Sequence, residues 1–205
     1  MAAGSNDIAL LVDYGGVLTS DIWSSFADFC EQRGLDRDAA KRLFRKHPEA
    51  LAELRALETG EADLAEFERR FAALLNTEPE GLIEGLFAGL GPAEPMIFAV
   101  RRAREGGVRT GLVSNSWVMD HYTDEVRGLF DAVVISGEVG LHKPQPEIYR
   151  LAAERVGAAP SDCVFVDDLR ENCEGAERIG MTAILHRHPA ATIARLEELL
   201  ELELS

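Results

Sequence analysis

Ile8, Ala9, Leu10, Leu11 and Val12 form an unbroken apolar run that stops at Asp13. A run apolar at both odd and even positions predicts a strand buried on both faces. RTGLVSNS repeats the scheme and turns polar at Ser114 and Asn115, and CVFVDD ends on Asp167 and Asp168. AVVISGE and the weaker TAILH are two further strands of this kind. Between them the apolar spacing is helical, roughly over 93–105, 118–128, 146–156, 171–179 and 190–202. Strands alternating with helices predict an α/β fold, a parallel sheet covered on both faces. In such a sheet the carboxyl ends of the strands share one edge, where open α/β sheets bind their ligands. Asp13, Ser114 and the Asp167–Asp168 pair should therefore converge.

Residues 20–90 break the alternation. DIWSSFADFCEQRG, RDAAKRLFRK and EADLAEFERRFAALL show helical patterns and no strand, with Leu64, Phe67, Phe71 and Leu74 at helical spacing in the last. This predicts a core domain of residues 1–19 and 91–205 interrupted by an all-helical subdomain at 20–90. Gly and Pro near 15–20 and 89–95 mark its hinges. Trp23, Phe26 and Phe29 are assigned to packing inside it. The basic island Lys41, Arg42, Arg45, Lys46 and His47 is assigned to a solvated helix face. His186 and His188, in HRHP, are expected in an exposed loop without a role.

Charge narrows the partners. The 36 acids outnumber the 21 Lys and Arg residues, giving −15 at pH 7. That balance repels nucleic-acid phosphates and anionic membrane surfaces. No apolar run reaches the ~18 residues of a membrane span, and the start, MAAGSND, lacks a signal-peptide pattern. The expectation is a cytoplasmic protein, monomer or homodimer, with no nucleic-acid or membrane partner. Cys30, Cys163 and Cys173 lack CxxC spacing and are expected to be reduced thiols.

Carboxylates gathered at one sheet edge repel one another unless a cation sits among them, and oxygen donors of this kind suit Mg²⁺. Lys143, in LHKPQPEIY, can aim its ammonium at the same place. An Asp, a Ser, a Lys and a metal-binding acid together are equipment for handling a phosphate. Two plainer readings compete: Asp13 before glycines as turn chemistry, and Asp168 with Glu171 as a helix-capping pair.

Four segments in order give the chain a resemblance to the haloacid dehalogenase superfamily, over essentially its whole length. DYGGVLT resembles the first motif, whose leading Asp is the nucleophile; this implies Asp13. LVSNS resembles the second, implying that Ser114 binds phosphate with Asn115 beside it. HKP supplies the third-motif Lys143. FVDDLRENCEGA resembles the fourth, implying Asp168 as the metal-binding acid supported by Asp167 and Asn172. The helical insertion is similar to the family's cap, and the implied core is Rossmann-like.

One position departs from the phosphatase pattern. Most family phosphatases read Asp-x-Asp, the second Asp being general acid and base, and here that place is Gly15. Its carbonyl can still serve the metal, as in a branch resembling sugar 1-phosphate phosphatases. The resemblance implies a magnesium-dependent phosphatase of a small, sugar phosphate-like metabolite acting through an aspartyl-phosphate. Without that acid, anomeric and acyl phosphates are expected to outpace primary alkyl phosphates; the rival expectation is that Asp21 or Thr19 swings in as a substitute acid. The alternatives are a dehalogenase-like hydrolase and a catalytically impaired protein that binds a ligand or partner.

Overall fold

A computed structural model describes residues 8–117 and 124–205. Strands β1 (Ala9–Val12), β2 (Arg109–Ser114), β3 (Ala132–Ile135), β4 (Cys163–Asp167) and β5 (Thr182–Leu185) form one parallel sheet in the order β3-β2-β1-β4-β5. The predicted Rossmann-like α/β class is the observed one. Strand β1 is central, with Val12 level with Leu112 on one side and Val166 on the other. Three strands therefore deliver their carboxyl ends to one edge, within two residues of the same height.

Helices α1 (Ile22–Gln32), α2 (Ala39–Lys46), α3 (Pro48–Glu58), α4 (Leu64–Leu75) and α5 (Leu82–Phe87) lie between β1 and β2. Then come α6 (Glu94–Glu105), α7 (Asp124–Arg127), α8 (Ser136–Val139), α9 (Pro146–Val156), α10 (Arg170–Glu177) and α11 (Pro189–Leu200). Prolines at the starts of α6, α9 and α11 suit the first turn, where no N–H partner is needed. Of the helix expected at 118–128, Asp124–Arg127 is present, and 118–123 lie outside the described residues.

The alternation of side chains along β1 builds two cores. Leu10 and Val12 pack with Met96, Ala99 and Val100 of α6 and Leu196 of α11. Ala9 and Leu11 face the other way, onto Ile148, Tyr149 and Ala152 of α9 and Phe165. Such double-sided burial is why β1 reads as a continuous apolar run.

The five helices of the insertion keep a third core of their own. Phe44 packs tilted against Phe71 at 4.4 Å between ring centroids, Phe26 lies 5.1 Å from Phe44, and Phe67 stacks on Phe71 at 5.2 Å. Asp21 and Asp63 cap α1 and α4, accepting from the backbone N–H groups of Trp23 at 3.1 Å and Glu66 at 2.8 Å. The two connections to the sheet lie side by side, Ser20 N donating to Gly91 O and Ala93 N to Leu18 O, both at 2.8 Å. Trp117, in the loop after β2, crosses into this cluster, its ring 5.8 Å from Phe87 and 6.4 Å from Phe67.

His186 corrects one expectation. It is buried, its N–H continues the sheet by donating to Asp167 O at 2.8 Å, and its Nδ1 meets Thr192 Oγ1 at 2.9 Å. The short β5 hid this, because one more residue of pairing draws the histidine beneath the start of α11. His188 is exposed as expected. The three cysteines are free and buried, and among the described residues no helix is long and apolar enough to cross a membrane.

Candidate active site

Lys143, in the loop between α8 and α9, is 1% exposed. Its Nζ lies 2.8 Å from Asp13 Oδ1, 2.7 Å from Asp167 Oδ2 and 2.9 Å from Val113 O. An ammonium has three N–H donors, and all three are used. Asp167 is fixed from its other side by Asn172 Nδ2, 3.0 Å from each carboxylate oxygen, and by the N–H of Leu169 at 2.8 Å. Tyr149 Oη in turn donates to Asn172 O at 2.8 Å. Asn115 clasps the Lys143 backbone twice, accepting from its N–H at 2.8 Å and donating to its carbonyl at 3.0 Å. Ser114, buried at the end of β2, adjoins this clasp.

The carboxyl oxygens of Asp13, Asp167 and Asp168 can all come within 4.8 Å of one another. Helix α10 begins without a side-chain cap, so the Asp168 carboxylate is not occupied as the capping reading would have it. Burial pushes the Asp13 carboxyl up to about 8; Lys143 opposes the rise, while Asp167 and Asp168 add to it. Asp168 rises to about 6, again through burial first and Asp167 second. For Lys143, burial alone would depress the ammonium, but Asp13 and Asp167 outweigh it and hold it above its ordinary range. The edge carries more negative charge than its one lysine neutralises.

The two glycines after Asp13 have different reasons. Gly16 takes φ +73°, and a Cβ there would sit 3.0 Å from the carboxyl group of Asp168. At Gly15 a Cβ would meet Ile22 Cδ1 of α1 at 2.6 Å. An apolar side chain of the insertion thus fills the space beside residue 15. Neither expected substitute for the missing acid is available. Thr19 Oγ1 accepts from Gly16 N at 2.9 Å and donates to Ser20 O at 3.0 Å, while Asp21 is the exposed cap of α1.

Between this edge and the insertion lies a cavity of about 920 Å³. Asp13, Ser114, Asn115, Lys143, Asp168 and Asn172 line its floor, together with Gly15, whereas Asp167 lies below it as support. Trp23 and Phe26 form part of the wall as well as packing the insertion. Arg45, expected in solvent, also reaches the cavity and pairs with Glu171 of α10 at 3.4 Å.

Two lining residues escaped the reading of the sequence. Glu58, the last residue of α3, is buried, and its Oε2 lies 2.6 Å from His142 Nε2. The ring of His142 rests against Asn115, whose Nδ2 is 3.1 Å from Nε2 and 3.4 Å from Nδ1. The only signal was the His immediately before Lys143.

Residues 9–180 match the haloacid dehalogenase-like hydrolase family. The chain belongs to it. Among curated relatives, the chain is 32% identical over 112 residues to bifunctional epoxide hydrolase 2 of Rattus norvegicus, covering 51% of this chain and 20% of that one. It is 35% identical over 103 residues to glyceraldehyde 3-phosphate phosphatase of Methanopyrus kandleri, covering 48% and 44%. The matched stretch is thus less than half of either relative. In fold, the chain resembles a haloacid dehalogenase family enzyme of Bacteroides thetaiotaomicron crystallised with magnesium and inorganic phosphate. The TM-score is 0.65 at 20% identity, over 88% of this chain and 94% of that one.

Proposed function

We propose that this hydrolase is a magnesium-dependent phosphatase of a small phosphorylated metabolite, with residues 20–90 as its cap. The observation that carries the reading is the engagement of Lys143 by both Asp13 and Asp167, with Asp168 beside them at the floor of a cavity. The donor set fits the ion: carboxylate oxygens, a backbone carbonyl, and carboxyls whose pKa values are raised first by burial and further by their carboxylate neighbours. Asp13, the carbonyl of Gly15 and Asp168 would hold it, with Asp167 and Asn172 in support. When bound, magnesium neutralises charge on the phosphoryl group and on the carboxylates around it.

The residues then divide the work. Asp13 attacks phosphorus and becomes an aspartyl-phosphate, which water hydrolyses. Lys143 stabilises negative charge on the transferring group, and Ser114 donates to a phosphoryl oxygen. Asn115, through its clasp on the Lys143 backbone, sets where that ammonium points. Relatives that include a sugar-phosphate phosphatase support the reaction class and make sugar phosphates the first substrates to try.

Phosphate release with and without magnesium, across a panel of metabolite phosphates, tests the reading. Asp13→Asn is nearly isosteric and should lower turnover on the order of 10⁴-fold or more, as loss of a nucleophile does. Retention of a tenth of wild-type activity would remove Asp13 from the role. The specific case for a second reading, a ligand-binding protein with impaired chemistry, is Gly15 with Ile22 packed beside it. Tight phosphate-ester binding without turnover would favour that reading.

A further inference from the structure

We propose that His142, held by Glu58 of the insertion, supplies the proton that the residue at position 15 cannot. The proposal rests on the phosphatase reading above and names a catalytic group that reading lacks. Protonation of the leaving oxygen is typically worth about 10²–10⁴ in rate, so a working phosphatase with a glycine at position 15 needs another donor.

The described cavity-lining residues leave few choices. Thr19 is committed to Gly16 and Ser20. Glu171 is exposed and paired with Arg45. Asp13 and Asp168 belong to the nucleophile and the ion. Tyr14 carries a phenol, which at an ordinary pKa of about 10 is a reluctant proton donor near neutrality. Glu58 and His142 remain, a carboxylate and an imidazole in contact on the wall of the cavity.

Their geometry is that of an oriented acid. The 2.6 Å contact takes Nε2, so Glu58 fixes the ring and leaves Nδ1 as the site from which a proton can be passed on. The edge of the ring carrying both nitrogens lies against the Asn115 amide, next to Ser114 and bonded to the Lys143 backbone. His142 thus sits one side chain from the groups that would bind the phosphate, on the side facing the insertion. That is the side to which a leaving group must point if Asp13 attacks from the sheet.

In the first half of the reaction Asp13 Oδ forms a bond to phosphorus while the bond from phosphorus to the leaving oxygen breaks. The electron pair stays on that oxygen, which takes the Nδ1 proton. In the second half the neutral imidazole takes a proton from the attacking water. Its oxygen bonds to phosphorus, the bond from Asp13 to phosphorus breaks, and carboxylate and imidazolium are both restored. Because Glu58 comes from the insertion, the donor is oriented only while the insertion covers the site.

Leaving-group dependence separates this role from a clasp between the insertion and the core. The magnesium-loaded full-length enzyme is assayed for kcat/KM and kcat on p-nitrophenyl phosphate, phenyl phosphate and a series of alkyl phosphates. In kcat/KM, which reports the phosphorylation step, His142→Gln and Glu58→Gln should each lose about 10²-fold or more on the alkyl esters. The loss should be far less on the activated nitrophenyl ester, whose leaving oxygen needs no acid, while kcat falls on every ester because the base for the attacking water is lost. Glu58→Gln keeps the size of its side chain and carries the test if the histidine variant fails to fold, as judged by circular dichroism. An equal loss of kcat/KM on every ester, or no loss on any, would overturn the assignment and leave the phosphatase reading standing. No turnover of any ester by the wild type, with no phosphoryl transfer to Asp13, would instead sink the reading beneath it.

Discussion

The carboxyl edge of the sheet and the helical insertion hide their side chains by opposite means. At the edge, Asp13, Lys143, Asp167 and Asn172 are buried polar groups that hold one another through short bonds. In the insertion, Phe26, Phe44, Phe67 and Phe71 fill the interior, while its ion pairs, such as Arg42 with Asp36, lie in solvent. Buried charge gives direction and a unique arrangement, because each group fails without its partner. Aromatic packing gives cohesion with less angular demand. The difference suits a floor that must hold atoms in place and a cover that must hold together as a unit.

Two substitutions of similar energetic size should break the two regions differently. Lys143→Met removes the one buried cation between two carboxylates, a loss worth about 3–5 kcal/mol, and activity should vanish with it. Phe71→Ala opens a hole in the insertion's core at about 3–5 kcal/mol, yet a small activated ester should still turn over. Denaturant unfolding paired with p-nitrophenyl phosphate assays checks both. If Phe71→Ala abolished that turnover as fully as Lys143→Met, the regions would not be separable.

The charge imbalance of the edge predicts how stability follows pH. Asp13 and Asp168 sit at about 8 and about 6 in the folded chain against an ordinary 3.8. Raised carboxyl values mean that the folded state binds protons more tightly than the unfolded one. Their contribution is fully present below the ordinary value and is lost as pH rises through the folded values. Lys143 works in the same sense, but only above its ordinary range. The melting temperature of the metal-free protein should therefore fall between about pH 4 and pH 8 from these groups, and magnesium should flatten the fall. An equal slope with and without magnesium would show that the ion does not engage them.

A smaller effect is expected where the two regions touch. Gly15→Asp brings its Cβ to 2.6 Å from Ile22 Cδ1, the tip of a side chain that can turn aside, so the cost should fall at the low end of the range for overpacking, about 1–3 kcal/mol. Ile22→Ala in the same chain should relieve the clash, and thermal melts of the single and double variants measure it. The smallest effect belongs to Arg45→Ala, because its pair with Glu171 is exposed and worth at most about 1 kcal/mol. A larger change in melting temperature would mean that this contact fastens the insertion.

The sheet and its edge were legible because each central strand is a buried run that stops at a chemically distinct residue. Asp13, Ser114 and Asp167 mark the ends of three such runs, and their register brings them within one residue of level. What stayed hidden depends on contacts between distant segments. Glu58 and His142 are 84 residues apart, and nothing local distinguishes Glu58 from the other acids of an amphipathic helix. Ile22 likewise reads as a packing residue until the folded chain sets it over Gly15. His186 was misread because β5 is short and only weakly apolar, so nothing in its pattern marks the one further residue of pairing that buries the histidine.

Trp117 makes the junction between the two regions optically visible. Trp23 and Trp117 are the only two tryptophans in the chain, and both line the cavity. The Trp117 indole nitrogen is buried and has no hydrogen-bond partner among the described residues. Its fluorescence should emit at the short wavelengths of a dry, apolar setting, and Trp23 stands at the rim beneath Lys41 and Arg45. The unmodified protein thus carries its own light source at the mouth of the site, with none in the sheet to blur the signal.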